Sequence, residues 1–147
     1  MDQDLTPIDI LLVEDNPQDV EITMRALKKK HVKNKVLVAR DGQEALDILF
    51  PSNGNSSNIG LILLDLNLPK VSGREVLERI KQDPTTKSIP VVVLTTSTRD
   101  EDVARTYDLG VNTFITKPVR FETFMDVVAT IRDYWIVVAT LPKSKAA

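Results

Sequence analysis

No cysteine occurs among the 147 residues. Disulfides, thiolate metal sites and a cysteine nucleophile are therefore excluded, and the composition suits a reducing compartment. The one histidine, His31, follows Lys28-Lys29-Lys30 at the basic end of a helical stretch. There it reads as a solvated charge, which leaves no basis for a His-dependent triad or a multi-histidine metal site. No apolar run approaches the ~20 residues of a membrane span. The acidic start, Met1-Asp2-Gln3-Asp4, carries no apolar signal stretch. A cytoplasmic protein without membrane contact is expected. Lysine and arginine number 19 against 21 aspartates and glutamates, a net charge of −2, so no basic excess argues for nucleic acid.

What is present is a 42% apolar, 27% charged chain that suits one domain over residues 1–147, with its core at about 7–140. Five short apolar runs organise it: Ile8 to Val13, Val36 to Ala39, Leu61 to Leu64, Pro90 to Leu94 and Thr113 to Thr116. Four of them stop at residues with usable chemistry, namely Glu14 and Asp15, Asp65, Thr95, and Lys117 before Pro118.

Between the runs lie helix signals. Asn16-Pro17 supplies a cap and a first-turn proline, with Val20, Met24 and Leu27 as the apolar face. Asp41-Gly42 opens a short helix with Ala45, Leu46 and Leu49 inward. Ser72-Gly73-Arg74-Glu75 and Thr98-Arg99-Asp100-Glu101 have capping-box spacing; the first precedes Val76, Leu77 and Ile80, and the second a helix ending near Gly110. Strand and helix alternate five times. The third run is too continuously apolar for a sheet with one wet face, so helices must cover both sides. The expected fold is an α/β, flavodoxin-like (βα)5 sandwich with a five-stranded parallel sheet in the order 2-1-3-4-5.

The last helix carries Phe121, Phe124, Val128, Ile131, Trp135 and Val138 at steps of three and four, enough for one buried face. Met125, Val127, Tyr134, Ile136, Val137 and Leu141 lie beyond that stripe. A second copy of the chain or further intramolecular packing would cover them.

In a parallel sheet the carboxyl ends of the strands share one edge, where residues distant in sequence meet in a crevice. Glu14, Asp15 and Asp65 there make a hard-oxygen site suited to Mg²⁺. A carboxylate such as Asp65 can also attack phosphorus to give an aspartyl phosphate. Lys117 would then screen the incoming charge, and the Thr95 hydroxyl would bond a phosphoryl oxygen. Taken singly, each residue has a plainer reading as a strand terminator, a strand threonine or a surface lysine. Their placement at successive strand ends favours the chemical one.

These residues resemble the receiver domains of two-component response regulators. The resemblance runs from Ile10-Leu11-Leu12-Val13-Glu14-Asp15 through Leu63-Leu64-Asp65-Leu66-Asn67-Leu68-Pro69 and Gly73 to Thr95 and Phe114-Ile115-Thr116-Lys117-Pro118. It implies that Asp65 accepts a phosphoryl group from a histidine kinase. Mg²⁺ would be held by Glu14, Asp15, Asp65 and the Asn67 backbone carbonyl, and the phosphoryl group by Thr95 and Lys117. Thr95 and Phe114 would form the switch that remodels the face of the fourth helix, fifth strand and last helix, while Asn67 and Ser97 tune dephosphorylation. Glu14 stands where aspartate is commoner, which tunes Mg²⁺ binding. Thr96 stands where a smaller residue is usual, which would crowd the approach to Asp65 or slow the movement of Thr95.

The few residues after Ala139 leave no room for an output domain, so the expectation is a stand-alone regulator. Asp65 to Lys70, Gly73 to Leu77, Ile89 to Ser97 and the tail ending Leu141-Pro142 resemble the regulators paired with phytochrome-type kinases. That resemblance implies a homodimer through the last helix or through the face of the fourth helix, fifth strand and last helix, with Phe121, Trp135 and Val138 at the interface. Two rival readings are an unphosphorylated interaction module of the same fold and a phosphatase with an aspartyl-phosphate intermediate. The second requires an acid two residues after the nucleophile, where Asn67 stands.

Overall fold

The computed structural model describes residues 8–29, 34–53, 58–66, 68–95 and 113–116. In chain order these form β1 (Asp9–Val13), α1 (Pro17–Lys29), β2 (Val36–Ala39), α2 (Gly42–Leu49), β3 (Ile59–Asp65), α3 (Gly73–Gln82), β4 (Val91–Thr95) and β5 (Thr113–Thr116). The five strands are parallel and ordered β2-β1-β3-β4-β5, the flavodoxin-like order expected from the alternation. The expected fourth and last helices fall outside the described residues, and so do Asn67, Ser97, Lys117, Phe121, Trp135 and Val138.

Alternation along the central strands divides the core into two layers. Leu11, Val13, Ile62, Leu64, Val91 and Val93 pack with Ala45, Leu46 and Leu49 of α2 and with Val76, Leu77 and Ile80 of α3. Ile10, Leu12, Leu61, Leu63, Val92 and Leu94 pack on the opposite face with Val20 and Leu27 of α1. Both faces of the sheet are thus covered, which explains why β3 is apolar without interruption. One expected core residue is misplaced. Met24 is 39% exposed, and Thr23, 3% exposed, takes the inward position. Both flank the Val20–Leu27 stripe at nearly equal angles on a helix of 3.6 residues per turn, so periodicity does not separate them.

The helix starts follow the capping chemistry of the sequence. Asn16 Oδ1 accepts from the Gln18 and Asp19 amides at 2.8 and 3.3 Å. Asp41 Oδ1 accepts from Glu44 N at 2.8 Å, and Ser72 Oγ from Glu75 N at 3.2 Å. At the far end of α3, Asp83 accepts from Thr85 N at 2.8 Å and from Thr85 Oγ1 at 2.5 Å. The bonds from Thr85 hold the Asp83 carboxyl below its ordinary value of 3.8. A depressed carboxylate contributes stability above the unfolded-state value and loses it as pH falls through the folded one. Asp83→Asn is therefore expected to lower the urea midpoint at pH 7, with the gap to wild type closing once the pH falls well below 3.8. An equal gap at both ends of that range would remove the ionised carboxylate from the account.

Candidate functional site

The site begins with register. Leu12 pairs with Leu63 and Val13 with Leu64, so Glu14 and Asp65 come next on adjacent parallel strands about 4.8 Å apart. Each continues the alternation of the α1 side, Glu14 after Ile10 and Leu12, and Asp65 after Leu61 and Leu63. Both are buried, at 0% and 2% exposure, whereas Asp15 at the following position is exposed. Carboxylate oxygens of Glu14, Asp15 and Asp65 all lie within 4.8 Å of one another. Glu14 is fixed twice more: its amide donates to Ala39 O at 2.9 Å, and its Oε2 accepts from Asn16 N at 3.2 Å.

Three carboxylates so close repel one another, and two have little water to screen them. A divalent cation is the natural neutralising partner. The donor set, all hard oxygens with an exposed member on the open side, fits Mg²⁺ or Mn²⁺, which keep waters in their coordination shells, rather than a thiolate- or imidazole-seeking metal.

Of the other expected site residues, Thr95 ends β4 one position beyond Leu94, which pairs with Asp65, and Thr95 itself pairs with Thr116. Phe114 lies opposite Val93 in β5. Lys117 directly follows Thr116 in the chain and lies outside the described residues. The strand ends thus meet at one edge of the sheet, as the parallel arrangement requires.

Residues 10–129 match the model of the response regulator receiver domain. The chain belongs to this family. It is 43% identical to the response regulator Rcp1 of Synechocystis sp. over 143 residues, 96% of this chain and 97% of Rcp1. The structure of the phosphorylated cyanobacterial phytochrome response regulator RcpA matches with a TM-score of 0.79 at 46% identity, covering 93% of this chain and 99% of that one. The Mn²⁺-bound form of Rcp1 gives 0.79 at 43%, covering 92% and 99%, and the bacteriophytochrome response regulator AtBRR gives 0.69 at 48%, covering 83% and 90%. The protein is thus a response regulator of a two-component system, a phosphoacceptor rather than a turnover enzyme, with the acidic metal site of a receiver. Among the described residues of the receiver no helix is long and apolar enough to cross a membrane.

Sequence reading passed over the receiver's supports around the acidic cluster. Gly73 lies so close beneath β3 that a Cβ there would strike Asp65 O and the Leu66 Cα, and its amide donates to Leu66 O at 3.1 Å. Gly42 lies in the same way against the Val71 carbonyl. Lys70 has φ +65° and sets its Nζ 3.4 Å from Asp41 Oδ2. The bond from Glu44 N, with a smaller contribution from Lys70, holds the Asp41 carboxyl below its ordinary value. The local signal for the glycines was their position beside a capping residue. Nothing local marks the Asp41–Lys70 pair.

Proposed function

We propose that this receiver takes a phosphoryl group from a phosphohistidine onto Asp65. The observation that carries the proposal is the buried Asp65 carboxylate at the end of β3, within 4.8 Å of two further carboxylates. An Asp65 carboxylate oxygen attacks phosphorus; the new O–P bond forms as the P–N bond breaks, and the departing imidazole keeps the electron pair and takes up a proton. Glu14, Asp15 and Asp65 would hold Mg²⁺, with the Asn67 backbone carbonyl as a further oxygen. Bound there, Mg²⁺ offsets the charge of the carboxylates and of the arriving phosphoryl group. Lys117 and Thr95 bind the phosphoryl oxygens, Thr95 and Phe114 switch, and Asn67 and Ser97 set the rate of hydrolysis.

The donor is a histidine kinase of phytochrome type, a reading supported by the likeness to RcpA, Rcp1 and AtBRR. Dimerisation through the last helix, around Phe121, Trp135 and Val138, is supported by its excess of apolar residues. A cytoplasmic location agrees with the lack of cysteine.

The test is intact mass after incubation with acetyl phosphate, with and without Mg²⁺. One added phosphoryl group that requires Mg²⁺ is expected. No addition from acetyl phosphate or from any phosphorylated histidine kinase, in a folded protein that binds Mg²⁺, would leave the unphosphorylated interaction module as the better account.

A further inference from the structure

The end of β2 and the turn that follows it reach two segments next to the acidic cluster. Ala39, the last residue of β2, accepts the amide of Glu14 through its carbonyl at 2.9 Å. Two residues on, Asp41 Oδ2 lies 3.4 Å from Lys70 Nζ, and next to it Gly42 seats the Val71 backbone, whose carbon would lie 2.7 Å from a Cβ at position 42. Lys70 and Val71 belong to the segment that leaves Asp65 and returns at Gly73 beneath the Asp65 carbonyl. The end of β2 with its following turn therefore connects the strand end carrying Glu14 to residues that follow Asp65. Lys70 is the only non-glycine residue with positive φ among the described residues. Side chains rarely adopt that conformation without being held in it by their surroundings. Asp41 Oδ2 pairs with the Lys70 side chain while Oδ1 caps α2.

We infer that Asp41 and Lys70 are positioning residues: their ion pair braces the loop after Asp65 against the β2–α2 turn and so sets the spacing of the carboxylates for a divalent cation. The inference rests on the reading of the acidic cluster as a metal site.

The experiment measures Mn²⁺ affinity by calorimetry and metal-free stability by urea unfolding for the wild type, Asp41→Asn, Lys70→Gln, the double variant and Lys70→Arg. Asparagine keeps the cap on α2, so the first variant removes only the pair. Each single neutral variant is expected to weaken Mn²⁺ binding about threefold, the equilibrium equivalent of a well-fixed exposed ion pair. The double variant is expected to lose no more than either single one, and Lys70→Arg to keep wild-type affinity. A brace and a simple field effect differ in sign. If the two residues acted only through their charges, removing Asp41 would weaken cation binding and removing Lys70 would strengthen it. Opposite signs, or unchanged affinity with lowered metal-free stability, would overturn the brace while leaving the metal site intact. A wild-type protein that binds no Mn²⁺ would overturn both.

Discussion

Replacing Asp65 by asparagine is expected to abolish phosphoryl uptake while leaving the metal-free protein folded. The amide has the shape of the carboxylate, so it opens no cavity at a position only 2% exposed. It lacks the charged oxygen that attacks phosphorus. Acetyl phosphate with Mg²⁺ should add a phosphoryl group to the wild type and none to the variant, read by intact mass. The same substitution takes one of three charges from the metal cluster. A cation that binds only the folded state stabilises the wild type by about 2.7 kcal/mol at a hundred times its dissociation constant. In Asp65→Asn the concentration giving that gain should rise by at least about tenfold, since even partners hydrogen-bonded directly to metal ligands cost that much when removed. Phosphoryl uptake that persists in the variant would move the acceptor elsewhere, with exposed Asp15 the next carboxylate to examine.

Gly73→Ala carries the second large effect, and its sign opposes local propensity. In a helix alanine is favoured over glycine by about 1 kcal/mol. At position 73, however, the added Cβ meets the Asp65 oxygen and Leu66 Cα, with the Leu66 carbonyl carbon at 2.9 Å, and all three are backbone atoms. None of them can turn aside as a side chain would. Either α3 moves off the sheet or the end of β3 is displaced, and both disturb the layer where Val76, Leu77 and Ile80 are fully buried. Overpacking of this kind costs about 3 kcal/mol, a fall in Tm of roughly 6–12 °C for a domain of this size. Because Asp65 is the first residue displaced, the variant should also bind Mg²⁺ more weakly than its loss of stability alone explains. A neutral or raised Tm would mean that α3 shifts without cost and that the close approach has no consequence.

The strands were legible because their signal is local. Four of the five apolar runs end where a carboxylate, a threonine or a lysine begins, and a parallel sheet turns that sequence boundary into a shared edge in space. The caps Asn16 and Ser72 were equally legible, since a side chain bonding an amide two or three residues ahead needs nothing from elsewhere in the chain. Thr23 and Met24 mark the limit of such reading. Periodicity placed a stripe on α1 but not the rotation of the helix against Ile10, Leu12, Leu61 and Leu63, which brought Thr23 inward.

By itself the sequence determined the alternation of strands and helices, the covering of both sheet faces and the identity of the carboxylates, because periodicity, capping and the ends of apolar runs are properties of neighbouring residues. Only the tertiary structure decided that Glu14 is buried while Asp15, next to it, is exposed, for that follows from the place of β1 between β2 and β3. Only tertiary structure, likewise, joined Asp41 to Lys70 and set Gly73 beneath Asp65. An ion pair or a close backbone approach between separate loops has no period and no local cap. It exists once the sheet order and register have fixed where each loop begins.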